Sequence, residues 1–178
     1  PNADSAIAYY LKAHENGNAD ASYYIGIQLL KEDMYEAAVS YLAQAVRANH
    51  PKAIVKYALC VQQGVGVQAD PADAVEMLHY VVRNFGDEEA YESLGLAYLQ
   101  GVGVIEDEAV GKAYLDTAAH KGRANSQYVL AMCYLNGWGC VVDTNDAIHY
   151  LEMAAKQGHI RSINALGDYY ESCQDYKS

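Results

Sequence analysis

The sequence has 178 residues, of which 52% are hydrophobic, and its 12 Lys and Arg against 23 Asp and Glu give a net charge of −11. This content predicts a folded chain rather than a disordered one. The acidic excess, with no basic stripe, argues against nucleic acid and anionic membrane surfaces as partners. No apolar run approaches the roughly 20 residues that span a bilayer, so membrane insertion is not expected.

Three sets of residues recur along the chain with constant mutual spacing, and together they predict a repeat of about 36 residues. Small residues that mark the first helix of each unit stand at Gly26, Ala58, Gly95, Ala131 and Gly167. Nine residues before each of them stands Gly17, Asn49, Gly86, Gly122 or Gly158. A third small residue marks the second helix, at Ala6, Ala38, Ala74, Gly111 and Ala147.

Each unit is predicted to contain two helices, A and B, because its apolar residues recur at helical spacing. Small residues at the crossing let the two helices of a pair approach to about 8 Å. Gly86, Gly122 and Gly158 fall where helix B ends, a position that favours a left-handed backbone. In chain order we expect a lone helix B over 3–16, helix pairs over 19–49, 51–86, 88–122 and 123–158, and a final helix A over 159–173.

The loop between helices A and B is the most specific motif. It reads Gly64-Val65-Gly66, Gly101-Val102-Gly103 and Gly137-Trp138-Gly139, and an Asp follows each copy four residues later. The glycines allow backbone angles closed to other residues, and the Asp is a good N-cap for helix B. A phosphate-binding loop is the alternative, but such a loop follows a strand and occurs once. The first unit lacks the loop and is four residues shorter.

These features resemble the Sel-one-like repeat family, a relative of the tetratricopeptide repeat with a longer loop. The resemblance is strongest over residues 52–158, where Cys140 replaces the usual Val and Gly111 the usual Ala. It implies an all-α fold, a right-handed α/α solenoid of helix pairs that forms one repeat domain over residues 1–178. It also implies that the A helices line a concave groove and that the protein assembles complexes, regulates enzymes or serves in host interaction.

Counting −3, +1 and +4 from each small residue predicts the side chains that face this groove. They are Tyr23, Ile27, Leu30, Val55, Leu59, Gln62, Glu92, Leu96, Leu99, Tyr128, Met132 and Leu135, with Asn164, Asp168 and Glu171 at the acidic end. An exposed apolar stripe marks a binding surface, and a peptide or a helix would fit it. The alternative is that these side chains pack between adjacent A helices. A polar edge is expected at Lys31, Lys56, Gln63, Gln100 and Asn136.

No catalytic or metal-binding constellation is found, and no cofactor is expected. The six histidines include no His-x-x-x-His pair, and no Gly-x-Ser-x-Gly elbow occurs. Glu88, Glu89 and Glu92 lie at a helix start, where carboxylates are favourable. The four cysteines do not recur with the repeat, so we expect free thiols, with a Cys140–Cys173 bridge as the alternative.

The sequence therefore favours a scaffold or adaptor that binds a peptide or partner domain, and not an enzyme. An acidic inhibitor or immunity-type protein that blocks a basic enzyme is one alternative, through electrostatic complementarity. A hydrolase is another, although no site supports it. The partner and the oligomeric state stay open. The cysteine pattern and the lack of a visible leader favour the cytoplasm, with a periplasmic or secreted location open if a leader was removed.

Overall fold

The computed structural model describes residue 10, residues 12–14 and residues 17–175, without the side chains of residues 173–175. Within this part of the chain all regular structure is helical. Residues 10 and 12–14 are helical, and the rest of the predicted helix over 3–16 lies outside the described residues. The chain divides into two compact units, Pro1–Ala90 (unit 1) and Tyr91–Ser178 (unit 2). Each unit is described by itself.

Nine helices are described, and they follow the predicted A–B order. Their bounds are α1 Ala19–Lys31, α2 Tyr35–Arg47, α3 Pro51–Gln63, α4 Pro71–Phe85, α5 Glu88–Gln100, α6 Glu108–His120, α7 Ala124–Asn136, α8 Thr144–Lys156 and α9 Ile160–Asp175. The unit boundary falls within α5. Each of the four predicted repeats contains one helix pair, while the assignment of the chain to a single repeat domain stays a prediction.

The small residues lie where the helices of a pair cross. A Cβ atom placed on Gly26 of α1 would lie 2.8 Å from a side-chain carbon of Leu42 on α2. In unit 2, a Cβ atom on Gly95 of α5 would lie 2.6 Å from Leu115 on α6. Any larger residue would push these helices apart, because real Cβ contacts are longer than this. Gly167 differs, since a Cβ atom there would meet nothing within 4 Å among the described residues.

The turn that ends each B helix has the left-handed conformation that the sequence predicts. All five landmark residues have positive φ, and this set includes one residue that is not glycine: Gly17, Asn49, Gly86, Gly122 and Gly158. Asn is the residue besides Gly that most readily adopts this conformation. Gly86 is itself the C-cap residue of α4, and its N–H donates to the carbonyl groups of Val81 and Val82.

The three long A–B loops have one shared structure. The six glycines of the Gly-x-Gly motifs all have positive φ. In each loop the residue between the glycines donates its backbone N–H to helix A over 2.9–3.0 Å, and so does the closing Asp. The Asp side chain then caps helix B, as Asp70, Asp107 and Asp143 do for α4, α6 and α8. The first repeat, over residues 19–49, has instead a short turn with Asp33 at a φ of 57°.

Candidate partner-binding surfaces

Unit 2 contains a cavity of about 550 Å³ beside α5 and α7. Four residues of the predicted stripe lie in its wall: Leu96, Leu99, Tyr128 and Met132. The other lining residues are Gln100, Glu106, Glu108, Asn125, Val129, Trp138 and Arg161. Cavities of this size, mainly apolar with a few polar groups at the edge, are the usual form of a ligand site in proteins.

The polar groups of this cavity separate toward its two ends. Asn125 and Arg161 belong to the first turns of α7 and α9. Glu106 and Trp138 belong to the loops that follow α5 and α7, at the opposite ends of those helices. Asn125 and Met132 are seven positions apart on α7, so the cavity extends for about 10 Å along this helix.

A hydrogen bond between the loop after α7 and the first residue of α6 holds the acidic end of the cavity in place. The backbone N–H of Gly139 donates to a carboxylate oxygen of Glu108 over 3.0 Å. Gly139 has a φ of 65°, and a Cβ atom on it would overlap the carbonyl oxygen of Glu108. The neighbouring indole of Trp138 is 41% exposed, so a large aromatic surface stands beside this carboxylate. The two chain segments can approach this closely because residue 139 is glycine.

The predicted groove residue Glu92 is not at the surface, and that prediction is wrong. Only 8% of Glu92 is exposed, and its carboxylate accepts hydrogen bonds from the Arg123 guanidinium at 2.8 and 3.2 Å and from the Ser126 hydroxyl at 2.6 Å. Burial alone raises the pKa of Glu92, but the bonds from Arg123 and Ser126 outweigh it and leave the pKa below its ordinary value. Glu92 therefore ties α5 to the start of α7.

Unit 1 has a smaller cavity, of about 210 Å³, at the corresponding repeat positions. Two predicted residues, Leu30 and Leu59, lie in its wall together with Lys56, Cys60, Gln63 and Val65. The ammonium group of Lys56 forms an ion pair with the carboxylate of Glu89. Lys56 and Gln63 were predicted to form a polar edge, and both line this cavity.

The remaining predicted residues have other surroundings. Val55 has no exposed surface, so it is a packing residue and its placement in the groove is wrong. Tyr23, Ile27 and Gln62 are half-buried, and the Tyr23 ring stacks on His50 with ring centroids 4.9 Å apart. Burial raises the pKa of Tyr23. Leu135 is exposed outside the cavity of unit 2.

Sequence reasoning missed six residues of the unit 2 cavity: Glu106, Glu108, Asn125, Val129, Trp138 and Arg161. The count from each small residue covers the A helices only, whereas Glu106 and Trp138 come from loops and Glu108 begins a B helix. One signal was available for Trp138, because the other two Gly-x-Gly loops have Val at this place and the chain has no other Trp. Nothing in the repeat pattern pointed to Arg161.

The thiol groups that the structure describes are poor nucleophiles where they are buried. Burial raises the pKa of Cys60, and it is the main cause that raises the pKa of Cys133 to about 11. A thiolate is the reactive form, so neither residue suits covalent catalysis at neutral pH. Cys60, Cys133 and Cys140 are free thiols, and the Cys173 side chain of the alternative bridge lies outside the described residues.

Metal-binding groups and membrane-spanning helices were also sought among the described residues. In the described ranges, no group of three or more His, Cys, Asp and Glu side chains is arranged to hold a metal ion. None of the helices described here combines the length and the apolar character needed to cross a membrane.

The repeats themselves identify the family. A family model described as "Sel1 repeat" matches residues 1–18, 19–50, 51–80, 88–122 and 124–159, which together form most of the chain. The chain belongs to the Sel1 repeat family. Members of this family generally act as protein–protein interaction modules, so the coarse function that the sequence predicts, protein binding, is that of the family. No curated protein matches the chain.

Solved structures of Sel1 repeat proteins are similar to this chain. A Sel1 repeat protein from Oxalobacter formigenes is 32% identical with a TM-score of 0.87, over 95% of this chain and 68% of that one. A protective antigen present in uropathogenic Escherichia coli strains, with the same repeat fold, is 27% identical with a TM-score of 0.81. That match covers 93% of this chain but 36% of the antigen. The predicted fold class, all-α with tetratricopeptide-like helix pairs, is confirmed.

Proposed function

We propose that this Sel1 repeat protein is a scaffold or adaptor whose unit 2 cavity binds an apolar segment of a partner protein. The observation that carries the proposal is the lining of the 550 Å³ cavity by Leu96, Leu99, Tyr128 and Met132. These side chains are only partly buried in their own unit, so a partner can remove further apolar surface from water. The family's general role in protein interaction supports the same reading.

Residues that lie close together on the A helices differ in burial, and this difference supports separate roles in the core and in binding. Leu94 and Leu130 are completely buried, whereas Leu96 and Met132, two residues further along the same helices, retain exposed surface. An α-helix turns residues two positions apart onto different faces. The core positions are therefore occupied by other side chains. Met132 packs in part against the core residues Ala131, Ala147 and Leu151, and the surface of Leu96 and Met132 that stays exposed is available to a ligand.

The test uses Trp138, the single Trp of the chain, as a fluorescent reporter inside the cavity. Peptides without Trp, selected on the folded protein from a displayed random library, are titrated while Trp138 emission is recorded. Met132→Asp is expected to weaken binding by at least about 30-fold, because it places a charge in the apolar wall. Circular dichroism checks that the variant keeps its helices.

Leu59→Asp is the matched control, because Leu59 stands at the same repeat position in unit 1 and receives the same change. It is expected to leave the Trp138 titration unchanged. If Met132→Asp binds the selected peptides as tightly as the parent protein, or if it unfolds while Leu59→Asp does not, the proposal is wrong and Met132 is a core residue. An association rate that falls steeply between low and physiological salt would instead favour the acidic inhibitor, whose binding depends on long-range attraction.

A further inference from the structure

The apolar wall and the charged groups of the unit 2 cavity occupy different parts of it, and this separation restricts what can bind. Leu96, Leu99 and Met132 form the wall, while Glu106 and Glu108 stand at the loop end beside Trp138. Arg161 stands at the other end. A ligand that follows the cavity therefore meets negative charge at one end and positive charge at the other.

The carboxylate of Glu108 is fixed in a position where it can accept from a ligand. Its Oε2 atom accepts from the backbone N–H of Gly139, which belongs to the same loop as Trp138. No other hydrogen bond engages this carboxylate in the described part of the chain, so Oε1 keeps its capacity to accept. An acceptor that is already ordered loses little conformational entropy when it binds a cation.

Unit 1 shows what the same repeat positions look like without this acidic end. Its cavity is lined by Lys56, and Val65 takes the place of Trp138. The short turn after α1 has no counterpart of residues 101–107, so no carboxylate from such a loop lines the cavity. The acidic and aromatic end is therefore particular to unit 2, and it comes from the long loops and the start of α6 rather than from the A helices.

We infer that the segment bound in the unit 2 cavity is an extended piece of a partner protein with a Lys or Arg next to a large apolar side chain. This inference rests on the proposed function and names the chemistry of its ligand. The apolar side chain contacts Leu96, Leu99 and Met132. The cation lies at the loop end, between the carboxylates of Glu106 and Glu108 and the face of Trp138.

The length and the charges of the cavity support this occupant. An extended chain advances about 3.3 Å per residue, so the cavity of about 10 Å accommodates about three residues. Arg161 repels a second cation at the far end, which sets the direction of the bound segment. The net charge of −11 attracts a basic segment over a longer range than these contacts.

The experiment compares the parent protein with the double variant Glu106→Gln/Glu108→Gln in panning of a displayed random peptide library. Gln keeps an oxygen that can accept from Gly139, so the loop contact is retained while both charges are removed. The parent is expected to enrich peptides with Lys or Arg next to a large apolar residue. The double variant should bind those peptides roughly three- to ten-fold more weakly, because two solvent-accessible ion pairs are lost. Asp146→Asn removes an exposed charge of α8 and should change nothing.

The outcomes separate the two proposals. Peptides that depend on Met132 but carry no Lys or Arg, or that bind the double variant unchanged, would overturn the inference and leave the proposed function standing. Enrichment of acidic peptides would overturn it as well. Peptides whose affinity is unchanged by Met132→Asp would overturn both proposals. Basic, apolar peptides that lose affinity in the double variant and in Met132→Asp, but not in Asp146→Asn, support both.

Discussion

Leu30 and Leu59 in unit 1 stand at the same repeat positions as Leu99 and Met132 in unit 2, and both pairs line a cavity. The backbone around them is also alike, because each pair lies on two A helices of adjacent repeats. The cavities nevertheless differ in volume, about 210 Å³ in unit 1 against about 550 Å³ in unit 2. The A helices alone therefore do not determine the size of the site.

The connections between the helices make the difference. After α1 a short turn leads directly into α2, whereas after α5 a long loop brings Glu106 to the cavity wall. In the next loop Trp138 replaces the Val65 of unit 1. A repeat protein can thus keep one packing scheme in every unit and change its ligand through the loops, because the loops lie outside the repeating core.

The largest effect is expected at a feature that the two units share. In each unit a glycine closely approaches the start of a neighbouring helix. Gly139→Ala should lower the free energy of unfolding by at least about 3 kcal/mol, because it combines left-handed strain with a Cβ atom that overlaps the Glu108 carbonyl oxygen. Gly66→Ala should do the same in unit 1, where the overlap is with the carbonyl oxygen of Tyr35. Urea unfolding measures both.

Gly122→Ala is the control for strain alone, since Gly122 has a φ of 93° but open space where the Cβ atom would stand. It should lower the free energy of unfolding by only about 1 to 2 kcal/mol. Equal losses in Gly139→Ala and Gly122→Ala would mean that the loops do not pack as closely as the structure shows.

An effect of intermediate size is expected from ion pairs between helices, because the carboxylate tested in unit 2 is largely buried and the one tested in unit 1 is exposed. Glu92→Gln should lower the free energy of unfolding by about 2 kcal/mol, because it removes the largely buried charge that pairs with the Arg123 guanidinium. In unit 1 the exposed carboxylate of Asp20 contacts His50, and Asp20→Asn should change the free energy of unfolding by less than about 0.5 kcal/mol. A cost for Asp20→Asn as large as that for Glu92→Gln would remove this distinction.

The same Glu92 pair makes the stability of unit 2 depend on pH. The pKa of Glu92 is lower in the folded than in the unfolded chain, so the unfolded chain binds more protons in acid. Its stabilisation is present above the ordinary glutamate pKa, about 4.3, and is lost as the pH falls from there through the folded pKa. The difference in the free energy of unfolding between the parent and Glu92→Gln should therefore shrink as the pH is lowered from about 6 into the acid range below the ordinary glutamate pKa.

The smallest expected effect is on peptide binding. The variant replaces a residue of the unit 2 cavity by its counterpart in unit 1. Trp138→Val should weaken the binding of the selected peptides by about ten-fold, because a large aromatic contact is lost at the edge of the site. Isothermal titration calorimetry measures this, since the fluorescent reporter is gone. Val141→Ala changes another exposed loop residue outside the cavity and should leave the affinity unchanged. Unaltered affinity in Trp138→Val would show that the loop residue does not contribute to the difference between the cavities.

Turns and caps could be predicted from the sequence because they depend on single residues. Gly86, Asn49 and the Gly-x-Gly glycines adopt the left-handed backbone that their residue types allow, and Asp70, Asp107 and Asp143 cap the helices that follow them. The repeat period, the helix pairs and the family followed from the same local signals. Such features need no knowledge of distant neighbours.

The surface could be predicted only in part, because exposure depends on residues about one repeat away. By position alone Val55, Glu92 and Tyr128 were equivalent, yet Val55 is fully buried, Glu92 is held by Arg123 and Ser126, and Tyr128 lines a cavity. Counting along one helix determines which face a side chain occupies, and the tertiary structure decides whether a neighbouring helix or a loop covers that face. For that reason the helix pairs follow from the sequence, whereas the separation of Trp138 and the two carboxylates from Arg161 became visible only in the folded chain.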